Sequence, residues 1–171
     1  MTNDKSIVLC GFMGCGKSTV GKLLAKTKSY NVVDLDDYIE KEQNMSISKI
    51  FELYGEQYFR DLEHNAIKKL SAEKNIVISA GGGTLVFERN VEVCRQNSIV
   101  IYLQVSLKSI KKRLKNDTKR PLLQKPNKDE IMQEMYNARN PLYEKASQFV
   151  VDGNKLPKDV VADIEKIIAS L

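Results

Sequence analysis

Cysteine is scarce in this chain, histidine scarcer, and long apolar runs are missing. The three cysteines, Cys10, Cys15 and Cys94, are odd in number and lack Cys-x-x-Cys spacing. That excludes a disulfide framework and a thiolate zinc site, and leads us to expect a reducing, cytoplasmic compartment. The one histidine, His64, falls off the apolar stripe of its helix and reads as a solvated group. No stretch approaches the roughly 20 apolar residues of a membrane-spanning helix, so no membrane partner is expected. The apolar run at 7–10 is too short for a signal peptide and leads straight into a glycine loop. Repeats, low-complexity tracts and linkers are lacking too, so residues 1–171 read as a single domain; a monomer is the expectation for its assembly.

The formal charge is +5, and much of the excess sits at Lys108, Lys111, Lys112, Arg113, Lys115, Lys119 and Arg120. No aromatic residue is interleaved there, which excludes a stacking platform for single strands. Nucleic acid is not an expected partner; an anionic small molecule is.

What is present begins with Gly11-Phe12-Met13-Gly14-Cys15-Gly16-Lys17-Ser18-Thr19. Gly11-x-x-x-x-Gly16-Lys17-Ser18 is a phosphate-binding loop pattern. Small residues let successive N–H groups point at one anion, and the following helix adds its positive dipole end. Lys17 can reach the terminal phosphates, and the Ser18 hydroxyl can ligate magnesium. The expected ligands are therefore a nucleoside triphosphate and Mg2+.

Strand-like runs appear at 6–10, 31–35, 76–80, 98–104 and 148–151. Between them lie helical periods at 17–28, from Ser46 to a stop at Gly55, from Glu56 to about 70, and at 87–96, 106–116, 129–146 and 157–170. The alternation predicts an α/β fold, a five-stranded, mostly parallel sheet with helices on both faces. Ligands then sit beyond the carboxyl ends of the strands, where Gly11, Asp34 and Gly81-Gly82-Gly83 fall. Residues 116–128, with two prolines and several charges, read as a mobile lid.

A phosphate loop needs a nearby carboxylate for its metal, and only the run ending Asp34-Leu35-Asp36 supplies one. By elimination Asp34 or Asp36 serves the metal. If the segment stays extended, both side chains point the same way, one for the metal's water shell and one to orient an acceptor hydroxyl. A helix N-terminus would also explain such acids. Of the 27 basic residues only Arg60, Arg89, Arg95, Arg113, Arg120 and Arg139 are arginine, the side chain whose planar fork grips carboxylate or phosphate. Arg89 and Arg95 read as surface groups. Arg60, Arg120 and Arg139 lie at breaks or in the lid, the last just before Asn140-Pro141, where a helix should end.

The segments GFMGCGKST, DLDD, GEQYFRDLE, SAGGG, KRPLL and ARNPLY follow the order and spacing of shikimate kinases, and the chain resembles that family from about 7 to 152. The resemblance implies a three-layer P-loop kinase fold, with a substrate-binding helical region at about 35–70 and a lid at about 116–128. It implies transfer of the ATP γ-phosphate to the 3-hydroxyl of shikimate. Arg60 and Arg139 resemble the family's clamp on the substrate carboxylate, Asp36 the group on the ring hydroxyls and the base, and Asp34 the acid holding magnesium through water. Ser18 resembles the direct metal ligand. Gly81, Gly82 and Gly83 would bring backbone N–H groups to the substrate. Gly14, Cys15, Gly16, Lys17, Ser18 and Thr19 would surround the phosphates, with Arg120 swinging onto them and Arg113 stacking near adenine. Glu63 would hold an arginine fork, and Phe51 and Phe59 an apolar wall. Cys15 stands where the family usually has a smaller residue; near a helix N-terminus its thiol is expected to be acidified and open to alkylation. The rivals are a gluconate-type or nucleoside monophosphate kinase. Asn127-Lys128-Asp129-Glu130 resembles a guanine-reading motif, but its aspartate is one place early.

Overall fold

The structure, a computed structural model, describes residues 5–118 and 120–171. Lys119 of the basic stretch lies outside the described residues. Five parallel strands form one sheet: β1 (Ser6–Cys10), β2 (Asn31–Asp34), β3 (Ile76–Ser79), β4 (Ser98–Gln104) and β5 (Phe149–Asp152), in the order β2-β3-β1-β4-β5. The three inner strands are buried on both faces apart from Gln104, which is why they read as continuous apolar runs without alternation. Register follows directly, with Val8 beside Ile78 on one side and Val100 on the other.

The helices are α1 (Lys17–Lys28), α2 (Leu35–Gln43), α3 (Ile47–Ser71), α4 (Glu88–Asn97), α5 (Leu107–Arg113), α6 (Lys128–Ala146) and α7 (Pro157–Ala169). Short 3-10 turns cover Thr84–Val86 and Pro121–Gln124. Among the described residues, no helix is long and apolar enough to cross a membrane. The connection after β1 returns through α1 to β2, whereas β4 lies on the other side of β1. The chain therefore leaves the first strand's end at a topological switch point, and a crevice opens there.

Three expectations change. The second strand stops at Asp34, and α2 begins at once, because the Asp34 side chain caps it by accepting from the N–H groups of Asp36 and Asp37. Asp34 and Asp36 therefore do not share one extended segment; the helix N-terminus reading describes their local structure. Second, α6 runs through Pro141 instead of breaking before it. The ring removes one hydrogen bond and crowds the turn before it, but Tyr143 and Ala146 beyond it are buried and hold the last turn in place. Gly55 does interrupt the helical run as expected: at φ 83° and ψ 173° it kinks α3 with open space around it, so conformation and not crowding demands glycine there.

The third change concerns Cys15. It is 2 % exposed, with its sulfur packed against Gly11 and 3.7 Å from Lys17 Nζ. The backbone of the loop faces the crevice, but this side chain faces the core and is no open nucleophile. Cys10 and Cys94 are buried as well, and burial raises both thiol pKa values, that of Cys94 to about 12. The native protein is expected to give essentially no fast reaction with a thiol-colour reagent, and all three thiols should react in denaturant. Rapid labelling of Cys15 in the native state would contradict the packing.

Candidate active site

One cleft of about 680 Å³ opens at the carboxyl ends of the strands. It is lined by Gly14, Cys15, Gly16, Lys17, Ser18, Thr19, Asp34, Asp36, Gly81, Gly82, Arg113 and Arg120, all marked in the sequence. Gly11, Gly14 and Gly16 all have positive φ, and this curls the loop into α1, capped at Gly16. Lys17 folds back over the loop, donating from Nζ to the carbonyls of Gly11 at 2.8 Å and Phe12 at 3.2 Å. These carbonyls hold the ammonium over the nest of N–H groups, where an anion would replace them.

Ser18 donates its hydroxyl to Asp34 Oδ2 at 2.8 Å, so the loop and the end of β2 meet through two oxygen groups. Among the described residues no cluster of three or more His, Cys, Asp or Glu is placed to hold a metal. A hydroxyl plus one carboxylate suits a hard cation that keeps water and phosphate oxygens in its remaining positions, which is the habit of Mg2+.

Asp36 is the second residue of α2, in its first turn, and is half-buried. Burial pushes its carboxyl up to about 6, the charges of Asp34 and Glu63 push the same way, and Lys17 opposes them. The turn at 81–83 is tight around it. A Cβ on residue 81 would lie 3.0 Å from Asp36 Oδ1, 3.0 Å from Thr84 Oγ1 and 3.2 Å from Glu63 Oε1. A side chain there would press on both carboxyl groups and on the Thr84 hydroxyl.

Arg60 and Arg139 reach the same turn without lining the deep cleft. A Cβ on residue 83 would lie 2.8 Å from Arg60 Nη1, and one on residue 82 would lie 3.6 Å from Arg139 Nη1. Tyr143 donates its hydroxyl to the Gly82 carbonyl and contacts Arg139 one turn earlier on α6. Arg60 is held on several sides: Nη1 donates to the buried Glu63 at 2.9 Å, and its guanidinium carbon lies over the rings of Phe59 at 5.2 Å and Phe87 at 5.1 Å. The edge formed by Nε and Nη2 rests on the exposed Glu56. A stronger or better aimed carboxylate would take that edge. The wall of Phe51 and Phe59 is present, with ring centroids 4.9 Å apart.

Two arginines are engaged otherwise than a free reading of the sequence suggests. Arg113 donates to the carbonyls of Gly14, Cys15 and Gly153, stapling the phosphate loop to the turn after β5. Arg120 pairs with Asp117 through both its side chain and its backbone N–H. Sequence reasoning also misread His64: its Nδ1 lies 2.8 Å from Asn90 Oδ1, so it is not simply solvated. Asn90 and Thr84 were missed. Thr84 directly follows the triple glycine, which is a signal, whereas Asn90 sits in a polar helix and carries none.

The comparisons agree with this chemistry. A family model described as shikimate kinase matches residues 13–169. A curated shikimate kinase from Thermodesulfovibrio yellowstonii is 44% identical over 164 residues, covering 96% of this chain and 93% of its own. One from Geobacter sulfurreducens is 41% identical over 167 residues, covering 98% and 92%. Among solved structures, a shikimate kinase from Acinetobacter baumannii in complex with shikimate superposes with a TM-score of 0.91 at 32% identity, covering 99% and 95%. A gluconokinase from Sinorhizobium meliloti, 16% identical with a TM-score of 0.63 over 99% and 94%, shares the fold alone. Crevice and kinship point the same way: the chain belongs to the shikimate kinase family and is an ATP-dependent kinase.

Proposed function

We propose that the cleft holds ATP on the loop at 11–19 and shikimate on the turn at 81–83, and that the γ-phosphate passes to the 3-hydroxyl. One observation carries the residue assignments: a half-buried carboxyl and two arginine forks converge on one glycine turn beside a phosphate loop. A substrate with both a carboxylate and ring hydroxyls matches that set; a nucleobase does not.

In this reading Arg60 gives up Glu56 and, with Arg139, binds the substrate carboxylate through parallel hydrogen bonds. Asp36 orients the acceptor hydroxyl and takes its proton. A carboxyl held near 6 is ionised at neutral pH yet basic enough to accept. Lys17 exchanges two loop carbonyls for phosphate oxygens, and Arg120 leaves Asp117 to add its charge as the lid at 116–128 closes and excludes water. Ser18 and Asp34 would hold Mg2+, which when bound neutralises phosphate charge. Arg113 keeps the loop in register beside the adenine. Three buried, unbridged thiols are compatible with a reducing cytoplasm.

A coupled ADP-release assay with shikimate, gluconate and nucleoside monophosphates is the direct test, with turnover expected on shikimate alone. Appreciable turnover on gluconate in its place would favour the rival kinase.

Charge removal should separate two roles. Lys17→Ala and Arg120→Ala are expected to lower kcat on the order of 10³-fold, the scale of contacts to transferring phosphoryl charge. Arg60→Ala and Arg139→Ala should instead raise KM for shikimate about 30-fold or more, with KM for ATP nearly unchanged. Equal effects on both KM values would remove the clamp.

Asp36 has a signature in pH. The rate kcat/KM for shikimate should fall as pH drops through about 6, because the base becomes protonated. Its folded pKa is raised above the unfolded value, so ionised Asp36 costs stability above about pH 6, and the cost fades as pH falls toward 4. Asp36→Asn should therefore be nearly inactive at saturating shikimate yet melt higher than the native protein at pH 8, with the gap closing near pH 4.5. A near-normal kcat in this variant would end its assignment as base.

A further inference from the structure

The mechanism leaves a closed ring of side chains unused. Glu63 on α3 accepts the Thr84 hydroxyl at 2.6 Å, and the Thr84 carbonyl accepts Asn90 Nδ2 at 2.8 Å. Asn90 Oδ1 then meets His64 Nδ1 at 2.8 Å, and His64 is the neighbour of Glu63 on α3. Glu63, Thr84 and Asn90 are each at most 1 % exposed. The ring thus runs from α3 to α4, to the turn after the triple glycine, and back to α3.

The directions of its bonds are set by chemistry. A backbone carbonyl only accepts, so Asn90 must turn its amide NH2 toward Thr84 and its oxygen toward His64. That oxygen also only accepts, so His64 Nδ1 carries the hydrogen, whether the imidazole is neutral or protonated. With every bond direction fixed, this arrangement is a brace. What it braces is specific. The segment between Gly83 and Asn90 supplies Thr84, which orients Glu63, and Phe87, which covers the Arg60 guanidinium. Arg89 adds a second tie from α4 by donating to the Arg60 carbonyl at 2.8 Å and to Asp61 at 2.9 Å.

We propose that His64 and Asn90 are positioning residues for shikimate binding: they hold the Thr84–Phe87 segment so that Glu63 and Phe87 keep the Arg60 fork aimed at the substrate carboxylate. Neither touches the substrate or ATP. The inference rests on Arg60 being the carboxylate clamp, and the experiment keeps the two apart.

His64 is only half-buried, so His64→Ala leaves the fold intact. Steady-state kinetics are measured for the native enzyme, His64→Ala, His64→Asn and Arg60→Ala. An asparagine amide nitrogen occupies the place of histidine Nδ1 and can donate to Asn90 in its stead. His64→Ala is expected to raise KM for shikimate about three- to tenfold, the scale of one hydrogen bond, with kcat and KM for ATP within about twofold of native. His64→Asn should restore KM for shikimate to near the native value. An unchanged KM for shikimate in His64→Ala, an equal rise in both KM values, or no recovery in His64→Asn overturns the brace. If Arg60→Ala binds shikimate normally, the clamp falls and the brace with it. If only Arg60→Ala is impaired, the clamp stands and the brace alone is wrong.

Discussion

Glu63 is a carboxylate with 1 % of its side chain exposed, and the substrate end of this enzyme is arranged around the need to satisfy it. A buried charge that loses its partner costs about 3–5 kcal/mol, so Arg60 cannot drift from it cheaply. One nitrogen of the Arg60 fork is thereby committed inward, and the opposite edge is left facing out, where the exposed Glu56 engages it. The same negative charge adds to the burial that raises Asp36. In the proposed mechanism a single buried carboxylate thus both aims the clamp and helps tune the base.

The nucleotide end depends on backbone more than on side chains. The positive-φ glycines at 11, 14 and 16 direct N–H groups inward, and Arg113 fixes that curl by donating to two loop carbonyls. Asp34 joins the two ends. One of its oxygens caps α2 and so positions Asp36, while the other takes the Ser18 hydroxyl beside the phosphate nest. In the proposed mechanism, the metal site and the placement of the base therefore hang on the same carboxyl group, by different oxygens. In family terms this is a small kinase whose main cleft opens where β1 and β3 end.

How much was legible in the residues follows from what kind of signal each gave. The inner strands announced themselves because a doubly covered parallel strand is apolar at every position. The loop was legible because glycine, lysine and hydroxyl at fixed spacing have few other uses. Arg60 stood out as a rare arginine near a break, but its pairing with Glu63 was reached through resemblance to a family, since a glutamate three places after an arginine usually means a solvated pair. Cys15 was misjudged because loop position does not say which way a side chain turns. His64 was misjudged because helical periodicity finds apolar faces and is blind to a polar residue whose partner lies on another helix. Pro141 was read as a break because local rules do not weigh the burial of Tyr143 and Ala146 beyond it.

The order of residues by itself determined the alternation of strands and helices, the nest that takes phosphate, and the choice of hard oxygen ligands and arginine forks. These are local matters, settled by glycine's freedom, by periodicity and by the chemistry of each side chain. Tertiary structure decided the rest: that Asp36 is buried within reach of the charge of Glu63, that Arg113 staples a loop, and that a half-buried histidine closes a ring behind Arg60. Those outcomes depend on burial and on partners 26 to 99 positions apart, and desolvation and packing at such range leave no periodic trace along a chain.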